Sequence, residues 1–314
     1  MFQEITRRFL LAVPTVLIVS FMIFGMIRFL PGDIAVAKLG EGYTEEAAQR
    51  IRAQYGLNKP WPRQYAEYVG NLLRGDFGTA ETGQPVLREI RSRFPVTLEL
   101  ALLAVCFSAL IGIPLGVLSA LRQDTVADYI ARSTAIFGLA VPGFVVATLL
   151  QSVFSIRWGI NIASVSYHPL SSDPLANLSQ MWIPALLLSL GTGAQVMRMT
   201  RAMMLEVQRQ DYIRTATAKG LAGRAVLMRH ALRNALMPVV TIFGLQMAFL
   251  IGGTVIFESI FSLPGMGRYL IEAVTRRDYA VVQGITLIFA TSVVLINLVV
   301  DLSYTFLDPR TRAR

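Results

Sequence analysis

A chain of 314 residues that is 54% hydrophobic and 16% charged carries too much apolar surface for one soluble core, since soluble domains are roughly 25% charged. Its formal net charge of +9 comes almost wholly from arginine, because Lys38, Lys59 and Lys219 are the only lysines. The basic residues flank apolar runs, which argues for membrane topology and against nucleic acid. The lone Cys106 excludes an internal disulfide and a CxxC site.

A membrane-spanning helix needs about 20 mostly apolar residues. The first such run covers 9–27 and follows Arg7 and Arg8. It is long for a signal-peptide core and lacks a small-residue cleavage site, so a retained anchor is expected over 1–30. Five further spans are expected at about 96–121, 133–156, 182–199, 235–257 and 281–306. Pro114, Pro142-Gly143, Gly191 with Gly193, and Gly252-Gly253 interrupt them. Such residues permit close helix packing or serve as hinges beside a pathway.

Between the first two spans, 31–95 reads as a small helical layer. Thr44 suits an N-cap for a helix ending near Gly56, and Pro60 blocks its continuation. Tyr65, Tyr68, Val69, Leu72 and Leu73 then recur on one helical face, and Gly75 suits the C-terminal cap. The face should be buried against other apolar surface. Val86, Leu87, Ile90 and Phe94 form a separate short stripe.

Arginine placement orients the chain. Segment 201–234 holds Arg201, Arg209, Arg214, Lys219, Arg224, Arg229 and Arg233 against Glu206 and Asp211, a surplus of five positive charges. It falls on the same side as Arg7 and Arg8, Arg122 and Arg132, and Arg310, Arg312 and Arg314. The positive-inside rule makes that side cytoplasmic, with both termini inside and 31–95 outside. The expected fold is therefore all-α and integral to the membrane, with about six spans. It divides into the anchor 1–30, the extracytoplasmic helical segment 31–95, a five-span core 96–308 and a cytoplasmic tail 309–314.

Catalytic motifs are missing. No G-x-x-x-x-G-K-[ST], HExxH or G-x-S-x-G occurs, and His168 and His230 fall on opposite sides of this topology. No metal site follows. Arg28, Glu99, Glu258 and Asp301 lie near span ends, whereas ion-coupled carriers often place acids at mid-membrane. Energy should then come from another chain. A self-contained carrier or channel, or a membrane enzyme, is the alternative.

The cytoplasmic segment is the most distinctive. Asp211 can open a short helix that Gly220 closes, with Tyr212, Ile213 and Ala216 on one face and Arg214 and Lys219 beside it. An exposed helix with an apolar patch either docks in a partner's groove or lies on anionic lipid. The run Asp211-Tyr-Ile-Arg-Thr-Ala-Thr-Ala-Lys-Gly220, followed by Leu221 and by His230-Ala-Leu-Arg-Asn-Ala-Leu-Met-Pro238, resembles the coupling motif of ABC importer permeases for dipeptides, oligopeptides and nickel, the B-type subunit of the dipeptide system above all. The resemblance spans the chain. Leu30-Pro-Gly-Asp33, Gly56-Leu-Asn-Lys-Pro60, Arg74-Gly-Asp-Phe-Gly78, Phe261-Ser-Leu-Pro-Gly-Met-Gly-Arg268, Arg277-Asp-Tyr279 and Ile296-Asn-Leu-Val-Val-Asp301 are similar to its segments. Departures are Arg214 where the generic motif has glutamate, Thr217 where arginine is common, and Ala280 where proline is common.

The resemblance implies a permease subunit of the bacterial or archaeal cytoplasmic membrane that performs no bond chemistry. Asp211, Tyr212, Ile213, Arg214, Thr215, Ala216, Lys219, Gly220 and Leu221 would couple it to an ATPase. It implies a heterodimer with a related permease, two ATPase subunits or domains that hold ATP and Mg, and an extracytoplasmic substrate-binding protein. The chain would itself bind no cofactor, would contact membrane lipid and would bind no nucleic acid. Gln195, Gln246, Pro142 and Gly143 are the candidate pathway residues. Peptides lead as cargo; nickel, glutathione, opines and sugars stay open.

Overall fold

The computed structural model describes residues 2–28, 39, 42–54, 58–163 and 166–307. Leu30 to Asp33, Gly56 and Arg310 to Arg314 lie outside the described residues. The helices are α1 (Phe2–Arg28), α2 (Glu45–Gln54), α3 (Trp61–Leu73), α4 (Val86–Leu121), α5 (Val126–Ala140), α6 (Gly143–Trp158), α7 (Pro174–Gln208), α8 (Asp211–Ala218), α9 (Gly223–Ala225), α10 (Arg233–Ile260), α11 (Met266–Arg276) and α12 (Tyr279–Leu307). A π-helical stretch, Val226–Leu232, joins α9 to α10. No strand occurs among the described residues, whose one bridge pairs Thr79 with Pro85.

Four helical segments combine the length and low charge needed to cross a bilayer: Phe9–Met26, Val86–Leu121, Gly223–Ile260 and Tyr279–Val300. The expected third span is not one straight helix. It is α5 and α6, bent by 90° at their junction. Pro142 is the cause: proline lacks an N–H and pushes the residue before it out of the α region, and Val141 sits at φ −101°, ψ 117°. The expected second span also begins earlier, because α4 absorbs the 86–94 stripe and runs through Pro95. Helix α7 is long enough at 35 residues, about 52 Å at 1.5 Å per residue. It is more polar, and it is buried along much of its length.

The chain forms two compact units. The first joins 1–95 to 265–298, so α11 and most of α12 belong with the N-terminal segment. Its core holds Val86, Ile90, Met266, Val281 and Ile285. Asp278 ties it together, accepting from the Glu81 amide at 2.7 Å and, at the start of α12, from the Val281 amide at 3.3 Å. The Thr44 hydroxyl caps α2, accepting from the Ala47 amide at 3.3 Å. Tyr65 packs edge-on against Phe21 and Phe24 of α1, and its hydroxyl donates to the Leu17 carbonyl at 2.9 Å. Tyr68, Val69 and Leu72 are likewise partly buried. Leu73, expected in the same buried face, is 84% exposed, because the helix ends there and Gly75, at φ +80°, turns the chain away.

The second unit comprises 96–264 and the chain from 299. Helix α7 is its axis, packed on α5, α6 and α10. Contact is at backbone distance. A Cβ on Gly112 or Gly116 of α4 would lie 2.6 Å from the Gly193 or Met197 carbonyl oxygen of α7. One on Gly143 of α6 would lie 2.7 Å from that of Leu187. Glycine removes the side-chain spacer and lets helices meet backbone to backbone. Polar groups fasten the seams: Ser108 and Thr192 hydroxyls pair at 2.6 Å, and Thr97 donates to the fully buried Glu258 at 2.7 Å. At one end, Tyr167 donates to Glu99 at 3.3 Å, and burial, with the Glu99 charge next, pushes the phenol up to about 12. It therefore stays a donor at neutral pH.

Gly112→Ala should destabilise the detergent-solubilised protein by about 1–3 kcal/mol, the usual range for overpacking. Gly252→Ala has open space around it and should shift stability by no more than about 1 kcal/mol. Fluorescence-detected size exclusion after heating reads both, and equal melting of the two variants would refute the close approach of α4 to α7.

Candidate functional site

Segment 211–220 folds as its sequence suggests. Gln210 precedes α8, Asp211 lies in its first turn, and Gly220 sits at φ +79°, the left-handed region that closes a helix. Its two faces are distributed differently from expectation. Ile213 and Ala216 are 8% and 7% exposed and pack into the chain's own core with Ala120 of α4, Met204 of α7, Val226 and Ala231 of the π stretch and Ala235 of α10. They are not offered to a partner. Tyr212 is half-exposed and its hydroxyl accepts from Asn234 Nδ2 at 3.1 Å, which pins α8 to the start of α10. Asp211, Arg214, Thr215, Lys219, Gly220 and Leu221 remain exposed. The sequence pattern marks an amphipathic helix but does not say what its apolar face meets.

Beside this cluster lies a buried ion pair that sequence reading does not single out. Asp128 of α5 is fully buried. Arg201 of α7 grips it bidentately, Nε to Oδ1 and the second guanidinium nitrogen to Oδ2, both at 2.9 Å. Ser119 of α4 donates to Oδ1, and the Asp124 amide donates to Oδ2 at 3.1 Å. The bidentate fork is the strongest arrangement of such a pair. It links α4, α5 and α7 next to the anchor of α8. The available signal was an acid in the first turn of an apolar helix that follows a charged turn.

The four candidate pathway residues come together. Pro142, Gly143, Gln195 and Gln246 line one cleft of about 980 Å³ between the α5–α6 bend, α7 and α10. Its walls are otherwise mostly Leu, Ile, Phe, Val and Gly, with Thr192 and Arg198 as the other polar members. The 90° bend makes the space, since a straight third span would cover α7 there. No group of three or more His, Cys, Asp or Glu suited to a metal occurs among the described residues.

Residues 112–313, which hold the cleft and α8, match the family described as binding-protein-dependent transport system inner membrane component. Residues 1–101 match the N-terminal region of a binding-protein-dependent transport system membrane component. The dipeptide transport system permease protein DppB of Escherichia coli (strain K12) is 38% identical over 99% of both chains. A putative peptide transport system permease protein of Brucella abortus (strain 2308) is 42% identical over 98% of both. Among solved structures, an amino acid ABC transporter crystallised with histidines aligns at TM-score 0.51 and 18% identity, covering 68% of this chain and 92% of that one. The MetNI methionine ABC transporter in an inward-facing form aligns at 0.51 and 16%, covering 68% and 93%. These structures share the fold.

Arg201→Met should leave the Asp128 carboxylate buried without its cation and destabilise the protein by about 3–5 kcal/mol. Adding Asp128→Asn should recover part of the loss. Thermal unfolding of the solubilised single and double variants reads the difference, and unchanged melting of Arg201→Met would show that the pair does not hold the helices.

Proposed function

The chain belongs to the family of inner-membrane components of binding-protein-dependent transport systems, and from that membership we propose that it is the peptide-carrying permease subunit of an ATP-driven importer. The peptide permeases of Escherichia coli and Brucella abortus, similar over nearly their whole length, support the cargo class. In this reading a second related permease completes the pathway. Two ATPase subunits bind ATP and Mg on the cytoplasmic side, and a substrate-binding protein delivers peptide to the other. The chain contributes no cofactor and breaks no bond. Residues 1–30 anchor it, 31–95 form an extracytoplasmic layer, and both termini are cytoplasmic.

The observation that carries the coupling mechanism is the two-sided placement of α8. Its buried face, Ile213 and Ala216, is packed among residues from α4, α7 and α10. Asp211, Arg214 and Thr215 on its other face, with Lys219 and Leu221 just beyond its end, are exposed. A helix fixed on one side to three long helices transmits displacement applied to the other. Closure of the ATPases on ATP would push this exposed face, and the cleft-lining helices would follow as a packed body. ATP can bias the permease only if docking differs in free energy between its two states.

Arg214→Glu with Lys219→Glu reverses the charge of the free face and leaves the buried face intact. Peptide-stimulated ATP hydrolysis by the assembled complex in proteoliposomes should fall about tenfold, the equivalent of about 1.4 kcal/mol of docking. Gly220→Val, strained at positive φ, should weaken it as well. Full ATPase retention and stimulation in both variants would remove the coupling assignment. Uptake by the chain reconstituted alone, without ATP, would instead make it a self-contained carrier. Loss of contact with anionic lipid alone would make α8 a surface helix.

A further inference from the structure

The cleft is apolar apart from a short polar row on α7 and one residue opposite. Thr192, Gln195 and Arg198 fall on successive turns of α7, and Gln246 of α10 faces them. Gln246 is 4% exposed. Its Nε2 donates to the Thr192 carbonyl at 3.0 Å and approaches Gln195 Oε1 at 3.4 Å. A carbonyl can only accept, so the amide nitrogen has to lie on that side. The amide oxygen Oε1 is then the group left over, and it is buried without a hydrogen-bond partner. A buried acceptor of this kind carries its full desolvation penalty unless a donor reaches it. Arg198 lines the same space. No ion pair forms on it among the described residues. The cleft therefore presents an exposed, unpaired cation, with a buried unmatched acceptor on a residue of its lining, in a volume of about 980 Å³, at the upper end of the ligand-sized range.

We propose that Arg198 and Gln246 are the peptide-recognition residues of the translocation cleft: Arg198 takes the free terminal carboxylate, and Gln246 turns its buried Oε1 into the cleft to accept an N–H of the peptide. The inference rests on the reading of the chain as a peptide permease and specifies how that cargo is held. The fork of a guanidinium matches a carboxylate bidentately. The apolar remainder of the lining meets side chains without reading them, so the site selects a charged end and tolerates varied sequence. A neutral sugar leaves Arg198 unmatched, and a bare metal cation is repelled by it.

The test uses the purified permease–ATPase complex without its binding protein, so that the permease alone is read. Saturation-transfer NMR compares Ala-Ala with its C-terminal amide. Wild-type complex should favour the free carboxylate by about tenfold or more, in line with a charge-assisted hydrogen bond. Arg198→Met should abolish that preference while the complex still assembles. Arg198→Lys should retain part of it, which keeps the question open to measurement if the methionine variant assembles poorly. Gln246→Met should weaken both ligands alike. An unchanged preference in Arg198→Met overturns the assignment. Loss of a co-purifying anionic lipid from that variant, with the peptide preference intact, overturns it as well and makes Arg198 a lipid-headgroup site. Failure of the wild-type complex to import any peptide with its binding protein present is a separate result, and it removes the peptide reading itself.

Discussion

Everything in the second unit depends on how closely helices can approach α7. In a bilayer, lipid tails are as apolar as leucine, so burying apolar surface between helices gains little. Dispersion and hydrogen bonds must hold them, and dispersion needs short distances. Gly112, Gly116 and Gly143 supply these distances by putting neighbouring backbones against α7 carbonyls. The Ser108–Thr192 hydrogen bond becomes possible only at that spacing. An α7 so enclosed holds Arg201, partly buried, against Asp128, while Gln195 and Arg198 stay exposed on the side that faces the cleft.

Much of this was legible in the sequence. Long apolar runs gave the helices, because a bilayer allows few other solutions. The Thr44 cap and the positive-φ glycines Gly75 and Gly220 were readable because local backbone demands leave a residue-type signature. The misses are tertiary. Periodicity says that Ile213 and Ala216 share a face, not whether that face meets a partner or the chain itself. The choice was made by Ala120 and Ala235, more than ninety positions before and nearly twenty after, whose small side chains leave a seat for α8. Pro142 was visible as an interruption, yet the size of the bend depends on how α6 seats Gly143 against Leu187. Leu73 fitted the helical stripe and lost its place because the helix stops there.

The Asp128 pair illustrates a different limit. An aspartate following a charged turn reads as a solvated helix start, and its partner Arg201 is 73 positions away. Only the fold puts the fork of Arg201 against both carboxylate oxygens, with Ser119 completing the coordination. Satisfied on this scale, a buried charge specifies which helix packs where; with one partner missing it penalises the whole arrangement.

Helix α7 joins these features mechanically. Gln195 and Arg198 line the cleft, Arg201 holds α5 through Asp128, and Met204 lies in the cluster that seats α8. From Gln195 to Met204 is about 14 Å along a helix that rises 1.5 Å per residue. Over that length a regular helix behaves as a rod, since bending it would break backbone hydrogen bonds that nothing else in an apolar setting replaces. A displacement at the exposed face of α8 therefore reaches the polar row of the cleft without needing a chain of side-chain rearrangements. It also arrives with α5 attached, so the bend at Pro142 moves with α7 and does not act as a hinge between them. The compliant points are elsewhere. The π stretch Val226–Leu232 relaxes the regular helical bonding between α8 and α10, and Pro238 removes one backbone donor from α10 four residues beyond the Asn234 contact with Tyr212. The consequence is an asymmetry between the two walls of the cleft: the α7 wall is joined to α8 through regular helix and packed core, and the α10 wall, which carries Gln246, is joined to α8 through softer helix and to α7 through the Gln246–Thr192 hydrogen bond.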